Sequence, residues 1–472
     1  MSIERLTSED ELMLWPDEVW PQDIGALVIL DGGNLLDEEG RFRIEAMRAA
    51  IAARLHLLPR LRQVLQVPPR RLGAPYWADA PAFDIAEHIQ VRPVPAPGGE
   101  AELLLVAEEL RRRRLDRTRP LWEMWFLTGL PGGRVGWFVK VHHCVADGIA
   151  GVATLATFLD AEPNAPGGSP QPWAPTPVPT EAALVADNEL RRQGERRRRL
   201  SLLAHPVHSL KLVVAAWPAM GELLAARPLP PTSLDRVVGA YRRFALVRTG
   251  LAVVKEVAHT CEAKVNDVLL AAVAGGLRRL LQHRGEPVES GTVLRVYVPV
   301  TLRPLDQRAQ ARGNLISQMV VALPVGVPDS VQRLKQIAAE TARRKARSRP
   351  NLGKLPHQGM AGRALLWLIA RQRVNVTTAD LPGPQVPLYL AGARLLEVFP
   401  VLPLVANETL GVGALSYAGQ FDITVVADRD SYPDLEIFAT GLRTELAALA
   451  AAVGIDTDGR GAAAPAVTTA RT

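Results

Sequence analysis

Two stretches of this chain alternate short strand patterns with helix patterns, and a segment of different composition separates them. The first stretch covers about residues 1–160 and the second about 241–456. Residues 161–180 are rich in proline, and an arginine-rich helical pattern follows them. Strands that alternate with helices are typical of α/β domains. Because 472 residues exceed one ordinary core, we expect two mixed α/β domains, a linker over 161–240 and a disordered tail over 457–472.

The most informative run of the first stretch joins an apolar strand to a helix. The strand pattern over 136–141 leads into His142-His143-Cys144-Val145-Ala146-Asp147-Gly148, and a helical pattern begins at Val152. A base, an acid and a glycine that permits a tight turn therefore lie within seven residues. Side chains alternate along a strand, so His142 and His143 should point to opposite faces and have different roles.

The residues of this run permit more than one chemical interpretation. His143 is either a general base or a core histidine satisfied by a backbone carbonyl. Cys144 is either a nucleophile that forms an acyl-enzyme or a small buried core residue. Neighbouring strand residues cannot easily bind one ion, and no further His/Cys cluster accompanies them, so we predict no metal site.

Charge and cysteine content narrow the function classes. The chain has 55 basic and 49 acidic residues, and a net charge of +6 is mild for this length, so we expect no nucleic-acid partner. Two distant cysteines, Cys144 and Cys261, form neither a disulfide framework nor a metal-ligand spacing, which favours a reducing, cytoplasmic interior. The first residues lack the pattern of a secretory signal.

The linker contains two segments of possible membrane relevance. Charged residues and Pro218 interrupt the apolar run over 210–226, so it is too short to span a bilayer, although an interfacial helix is compatible with it. An arginine-rich run over 191–199 lies in a helical pattern from about 181 to 226. That run is either a solvated helical face or a contact with anionic lipid head groups or nucleotide phosphates.

Three local patterns predict helix boundaries. Thr7 or Ser8 can cap a first helix, with Glu11 completing a capping box for Ser8. A second helix is expected over Phe42 to Leu58. Asn266 and Asp267 are expected to precede and cap a long amphipathic helix that ends near Leu281.

The run from His142 to Gly148 is the HHxxxDG signature of the coenzyme A-dependent acyltransferase superfamily. Further segments make the chain similar, in order from about residue 3 to 450, to the bacterial wax ester synthase/diacylglycerol acyltransferase family. The matching segments are Pro59 to Arg62, Arg119 to Glu123, Val265 to Val268, Pro299 to Arg303, Gly313-Asn314, Pro382 to Pro384, Leu388 to Ala393 and Val426 to Asp430. Asp380-Leu381 and Gln22-Asp23 depart from the Asn-Val and Met-His pairs usual in that family.

The resemblance implies two chloramphenicol-acetyltransferase-like α/β domains with mixed sheets, and an active site and tunnel at their interface. It implies an O-acyltransferase that moves a fatty acyl group from acyl-CoA to a long-chain alcohol or diacylglycerol, giving wax ester or triacylglycerol. No cofactor is implied besides acyl-CoA as substrate. The implied location is cytoplasmic, peripheral at the inner membrane face or on lipid droplets. The alternatives are an acyltransferase for a specialised metabolite or a carrier-bound acyl group, and a non-catalytic lipid-binding protein.

The resemblance also implies a role for individual residues. His143 would be the general base in a ternary complex, with His142 packing behind it, and Cys144 would be a buried core residue. Asp147 would brace the loop by pairing with Arg303, in preference to orienting His143. Gly148 would leave room for the pantetheine arm or adopt a positive φ, and Asn266 with Asp267 would support the site. The channel walls would include Pro120, Leu121, Trp122, Pro382, Gly383 and Pro384.

Overall fold

A computed structural model describes residues 3–14, 16–204, 229–301, 316–345 and 373–455 of the chain. Arg303, the apolar run over 210–226 and the tail after residue 456 lie outside the described residues. The described helices are α1 (Ser8–Leu14), α2 (Ile44–Ala52), α3 (Glu100–Arg112), α4 (Gly148–Ala156), α5 (Glu181–Ala204), α6 (Leu251–Thr260), α7 (Val265–His283), α8 (Ser330–Lys345) and α9 (Leu435–Ala452). None of these helices combines the length and the apolar character needed to cross a bilayer.

The described strands form two six-stranded mixed sheets and one small two-stranded sheet. The strands are β1 (Asp23–Asp31), β2 (Gln63–Gln66), β3 (Tyr76–Asp79), β4 (Ile89–Pro93), β5 (Trp122–Thr128), β6 (Arg134–His142), β7 (Arg242–Gly250), β8 (Leu294–Thr301), β9 (Ile316–Leu323), β10 (Val374–Pro382), β11 (Tyr389–Leu390), β12 (Ala393–Val401), β13 (Leu410–Tyr417) and β14 (Gln420–Asp428). This architecture confirms the predicted pair of mixed α/β units.

The first large sheet has the order β11-β12-β1-β6-β5-β4. Strand β6 lies between β1 and β5 and is antiparallel to both, so a histidine at its end is held by neighbours on two sides. In this register Asp23 at the start of β1 lies opposite His142 at the end of β6. The sheet therefore fixes the backbone from which the HHxxxDG loop begins.

Strands from the second half of the chain complete this first sheet. β12 pairs with β1 in antiparallel register, from Gly25 opposite Val401 to Leu30 opposite Leu395. The short β11 continues the same edge through β12. The expected division of the chain near residues 160 and 241 therefore does not describe where these two strands lie. A cross-over of this kind depends on long-range pairing that local sequence patterns do not contain.

The second large sheet has the order β7-β14-β13-β10-β8-β9. Its central strands β13, β10 and β8 are parallel neighbours, whereas its outer pairs are antiparallel. The hairpin of β13 and β14 turns at Ala418 and Gly419, both with positive φ. Helices α6, α7, α8 and α9 bury their apolar residues in one core against this sheet.

A shared core joins the two sheets. It combines Leu27 and Phe138 of the first sheet with apolar residues of α3, and with Leu246 and Val426 of the second sheet. Phe399 of β12 lies in the same core and is fully buried. The two halves of the chain therefore pack through side chains as well as through the β1–β12 ladder.

The proline-rich segment after α4 lies against the first domain. The guanidinium of Arg62 lies over the Trp173 ring, and the Trp173 indole N–H donates to the Ala80 carbonyl over 3.3 Å. The Thr176 N–H donates to Asp79 Oδ2 over 2.9 Å. The segment forms no regular element, and these side-chain contacts order it.

The structure corrects the expected boundaries of two helices. The helix expected over Phe42 to Leu58 is α2 alone, followed by two short 3₁₀ turns. Leu58, the residue before Pro59, lies between these turns with a non-helical φ of −125° and ψ of 65°. Helix α7 begins at Val265, so Asn266 and Asp267 lie inside its first turn and do not precede it.

The structure also decides which residue caps the first helix. The Thr7 hydroxyl accepts from the Asp10 N–H over 3.1 Å, which makes Thr7 the N-cap of α1. The capping box that we expected between Ser8 and Glu11 is therefore wrong. The Thr7 hydroxyl also donates to the Asp10 carboxylate, so Thr7 and Asp10, three residues apart, exchange two hydrogen bonds at the start of α1.

Candidate active site

The HHxxxDG loop is held by backbone hydrogen bonds to the segment that precedes β1. The His143 N–H donates to the Gln22 carbonyl over 2.7 Å, and the Val145 N–H donates to the His142 carbonyl over 2.9 Å. The loop ends at Asp147, whose Oδ1 accepts from the Ala150 N–H over 2.9 Å and caps α4. Strand, loop and helix therefore form one rigid unit around His143.

His143 lines a cavity of about 320 Å³ between the two halves of the chain. The wall from the first domain includes Ile24, Ala26, Leu61, Trp122, Met124, Val139, Val141, Val145, Ile149, Val152 and Leu155. The opposite wall includes Asn266, Val298, Thr301, Lys345, Asp380, Leu381, Pro382 and Leu415, while Pro400 of β12 lines the cavity from the first sheet. His143 thus places an imidazole in a cavity whose first wall is almost entirely apolar.

His142 faces away from the cavity, as strand alternation predicts. Its Nδ1 accepts from the Cys144 N–H over 3.1 Å, and its Nε2 lies 3.2 Å from Asp17 Oδ1. An accepting Nδ1 leaves the imidazole proton on Nε2, toward the carboxylate. Burial opposes ionisation of Asp17, but the nearby His142 imidazole and hydrogen bonds from the Gln22 N–H and Arg117 hold the pKa of its carboxyl well below the usual range. His142 therefore supports the loop from behind.

Asp147 and Gly148 occupy the junction of loop and helix. Asp147 is 1% exposed, and its cap contact with Ala150 supports the loop. The pairing that we expected with Arg303 involves a residue outside the described part of the chain. Gly148 does not have a positive φ, so that alternative is wrong. A Cβ on Gly148 would lie 3.0 Å from Leu381 Cδ2, so this glycine permits close approach of the second domain.

The adjacent residues Asn266 and Asp267 have different positions relative to the cavity. Asn266 lines the cavity in the first turn of α7. Asp267 is 2% exposed, accepts from the Lys264 N–H over 2.9 Å, and accepts from the Thr341 hydroxyl over 2.7 Å. Asp267 therefore caps α7 and ties it to α8, while only Asn266 reaches the cavity.

The two proline-containing motifs contribute one lining residue each. Trp122 lines the cavity; its indole N–H donates to the Leu61 carbonyl over 2.8 Å, and its ring stacks on His88 at 4.5 Å. Pro120 and Leu121 are buried beside it without being among the described lining residues. These contacts fix the plane of this lining indole.

Pro382 is the lining residue of the second motif. Gly383 and Pro384 are not among the described lining residues; they hold the end of β10 against the hairpin of β13 and β14. The Gly383 N–H donates to the Ser416 carbonyl over 2.9 Å, and a Cβ on Gly383 would lie 2.5 Å from that oxygen. The glycine is therefore required by the close approach of the two backbones.

Three polar residues of the cavity were not expected from the sequence. Thr301, Lys345 and Asp380 line its second wall, at the ends of β8, α8 and β10. Burial raises the pKa of Asp380 to about 6, and the Lys345 charge partly opposes that shift. Only Asp380 could have been suspected from the sequence. The Asp380-Leu381 pair departs from the family pattern and places a carboxyl directly before the matching Pro382 to Pro384 motif.

Cys144 does not meet the requirements of a nucleophile. It is 2% exposed, and burial raises the pKa of its thiol well above the ordinary value. Thiolate is the reactive form of cysteine, so a buried and protonated thiol is inert. Within the described residues, no three potential metal-ligating side chains come together.

Comparison with known proteins gives matches over both halves of the chain. A sequence model for the wax ester synthase/diacylglycerol acyltransferase catalytic domain matches residues 6–269, and one for the WS/DGAT C-terminal domain matches 312–450. The Mycobacterium tuberculosis (strain H37Rv) protein named "Probable diacyglycerol O-acyltransferase tgs1" is 32% identical over 438 residues, which cover 91% of each chain.

Two solved structures show the same fold. The wax ester synthase/diacylglycerol acyltransferase from Marinobacter aquaeolei VT8 has a TM-score of 0.67 and 24% identity, and the match covers 96% of this chain and 100% of that one. The first condensation domain of the calcium-dependent antibiotic synthetase has a TM-score of 0.60 and 19% identity, with coverage of 96% and 97%. The predicted acyltransferase-like fold is thereby confirmed.

Proposed function

Because the chain belongs to the wax ester synthase/diacylglycerol acyltransferase family, we propose that His143 is the general base of its acyl transfer. Family membership makes the protein an acyltransferase that forms wax ester or triacylglycerol. The observation that carries our proposal is the position of His143, an imidazole on the wall of a largely apolar cavity between the two domains. His142, the adjacent imidazole, lies outside that cavity and contacts Asp17.

The proposed reaction uses His143 twice. An alcohol attacks a thioester poorly unless it loses its proton as the new C–O bond forms, and a neutral imidazole accepts that proton. The tetrahedral intermediate then expels coenzyme A as a thiolate, breaking the C–S bond. The imidazolium of His143 returns the proton to this thiolate, so the base is regenerated and only ester and free thiol leave.

The surroundings of His143 suit this role. The apolar wall excludes water, which suppresses hydrolysis of the thioester and strengthens hydrogen bonds to the reacting atoms. The Asp147 cap and the contact between His142 and Asp17 hold the loop, and neither of these two contacts involves the His143 ring. We therefore assign loop support to His142 and Asp147, with an Asp147–Arg303 pair as the expected further brace.

Replacement of His143 tests the base directly. With palmitoyl-CoA and either hexadecanol or a diacylglycerol, we expect His143→Ala to lower the rate of thiol release by roughly 10²- to 10⁴-fold. His259→Ala is a matched control, because His259 is exposed on α6 and remote in sequence from the motif. A His143→Ala protein that keeps full acyl transfer would contradict the proposed mechanism.

We also propose that the basic half of α5 binds an anionic lipid surface, such as the inner membrane face or a lipid droplet. The first half of α5 is fixed to the domain: Leu184 is buried, and Arg5 Nε lies 2.8 Å from Asp187 Oδ2. Beyond this anchor α5 exposes the basic residues Arg191, Arg192, Arg196 and Arg197 and the apolar residues Leu190 and Leu200, with the acidic Glu189 and Glu195 among them. Arginines beside exposed leucines suit contact with anionic head groups over an apolar layer.

Vesicle sedimentation tests this surface. We expect binding to vesicles of phosphatidylcholine with phosphatidylglycerol, weak binding to phosphatidylcholine alone, and loss of binding at high salt. Arg191→Glu combined with Arg192→Glu should reduce binding about 10-fold or more, since each basic residue near such a surface contributes about 1 kcal/mol. Equal binding to both vesicle types would refute the proposal.

A further inference from the structure

The interface cavity carries most of its polar side chains on one wall. Asn266, Thr301, Lys345 and Asp380 come from the second half of the chain, whereas the wall from the first half offers His143 and Thr154. The Thr154 hydroxyl already donates to the Ala150 carbonyl within α4 over 2.8 Å. Polar groups of a bound substrate therefore meet the second wall.

Asp380 is the carboxyl of that wall. It lies near the end of β10, beside Leu381, and no described residue donates a hydrogen bond to it. The positive charge of Lys345 lowers the pKa of Asp380, but the two side chains do not form an ion pair in the described part of the chain. An ionised carboxylate can only accept hydrogen bonds, and a buried one without a donor is unfavourable. Asp380 therefore presents a hydrogen-bond acceptor to any ligand that enters the cavity.

We propose that Asp380 is a substrate-binding residue that accepts a hydrogen bond from an N–H or O–H group of a substrate in this cavity. The inference rests on the proposed function, because that function defines the two substrates. An acyl-CoA donor brings amide N–H groups in its pantetheine arm. An acceptor with two hydroxyls brings an O–H group besides the one that reacts. Both sources offer the same chemistry to the carboxylate.

The same contact makes Asp380 a determinant of selectivity. A substrate that places only alkyl groups beside the carboxylate leaves a charge buried and unpaired, while a substrate with an N–H or O–H group satisfies it. If the partner is the pantetheine arm, every acceptor benefits equally. If the partner is a second hydroxyl, the enzyme favours a monoacylglycerol over a simple long-chain alcohol.

Two variants of Asp380 separate these cases. Asp380→Leu replaces the acceptor by an apolar group with the same branching at Cγ, and Asp380→Asn keeps an acceptor oxygen without the charge. Asp430→Asn is the control, because it removes one negative charge from an exposed turn. We would measure thiol release with palmitoyl-CoA and hexadecanol or 1-monopalmitoylglycerol. Dissociation constants of coenzyme A and of 1-monopalmitoylglycerol, measured by calorimetry, make the comparison independent of turnover.

For the pantetheine partner, we expect Asp380→Leu to raise the coenzyme A dissociation constant and the KM for palmitoyl-CoA roughly 10-fold with either acceptor. For the acceptor partner, we expect a similar loss for 1-monopalmitoylglycerol alone, with the hexadecanol rate unchanged or higher. Asp380→Asn should show the same pattern with a smaller loss of affinity. It provides the test if Asp380→Leu does not fold.

Unchanged dissociation constants and KM values in both variants would overturn this inference. That outcome is distinct from failure of the proposed function, which would appear as absence of thiol release by the unmodified enzyme with every acceptor. A general loss of structure would appear as a lower unfolding temperature of both variants. We expect neither variant to be less stable than the unmodified protein near neutral pH, because each removes a half-buried charge.

Discussion

Replacing Gly148 by alanine tests how closely the loop after His143 is held against the second domain. A Cβ at this position would lie 3.0 Å from Leu381 Cδ2 and 3.6 Å from Leu381 Cδ1. Carbon atoms at optimal contact are about 3.5 to 4.0 Å apart, so the new methyl overlaps the leucine by about 0.5 to 1 Å. The clash involves the end of a flexible side chain, which places it at the low end of the usual 1 to 3 kcal/mol, at about 1 kcal/mol.

Gly151→Ala is the matched control on the same helix. Gly151 also lines the cavity, but a Cβ there would lie 3.8 Å from Ile24 Cδ1, which is ordinary contact. Alanine in a helix interior is favoured over glycine by about 0.5 to 1 kcal/mol, so we expect Gly151→Ala to be slightly more stable than the parent protein. We expect Gly148→Ala to be about 1 to 2 kcal/mol less stable than Gly151→Ala.

A double-mutant cycle identifies the clash. If Leu381 is the partner, Leu381→Ala should relieve Gly148→Ala, with a coupling of at least about 0.5 kcal/mol, and should not relieve Gly151→Ala. Denaturant unfolding followed by tryptophan fluorescence gives the stabilities, and thiol release gives the matching rates. A coupling within about 0.3 kcal/mol of zero, or equal loss of rate in both glycine variants, would refute the reasoning.

Three further predictions follow from buried groups. Cys144→Ala should retain acyl transfer within a few-fold, and Cys144 in the native protein should resist alkylation; rate loss as large as that of His143→Ala would instead indicate an acyl-enzyme. Arg333 and Glu445 form a buried pair at 2.6 Å, so Arg333→Met should cost about 3 to 5 kcal/mol of unfolding free energy, most of which Glu445→Leu in the same chain should restore. Burial raises the pKa of Asp422 to about 7. Because the folded state disfavours its ionised form, the protein should lose stability relative to Asp422→Asn as pH rises from about 4 to 7, and equal thermal unfolding profiles across that range would exclude the effect.

Strand alternation predicted the orientation of the two histidines because it is a local property. His142 is the last residue of β6 and His143 is the first residue after it, so the period of the strand still predicts that their side chains take opposite faces. The helix starts were harder to predict from the same kind of information. Asn266 and Asp267 both match N-cap preferences, but the cap is at Lys264, and the Asp267 carboxylate reaches back to its N–H.

The polar wall of the cavity could not be predicted in this way. Lys345 and Asp380 lie about two hundred residues after His143, and their meeting depends on how two sheets pack. The place of β12 in the first sheet has the same origin, since it depends on pairing with the distant strand β1. The family resemblance predicted that the site lies at the interface of the two domains. The residues of the second wall could be identified only from the three-dimensional structure.

The position of β12 constrains how the protein is made and how it moves. While the ribosome is still adding the second half of the chain, β1 has an unpaired edge, so the first domain cannot complete its sheet until residues 393–401 are available. Expression of residues 1–160 alone should therefore yield an aggregation-prone fragment. In the finished protein β12 stays with the first sheet, so separation of the two sheets would leave the β1–β12 ladder intact. It would instead expose the shared apolar core that contains Leu27, Phe138, Leu246 and Val426, and this buried surface opposes opening of the two halves.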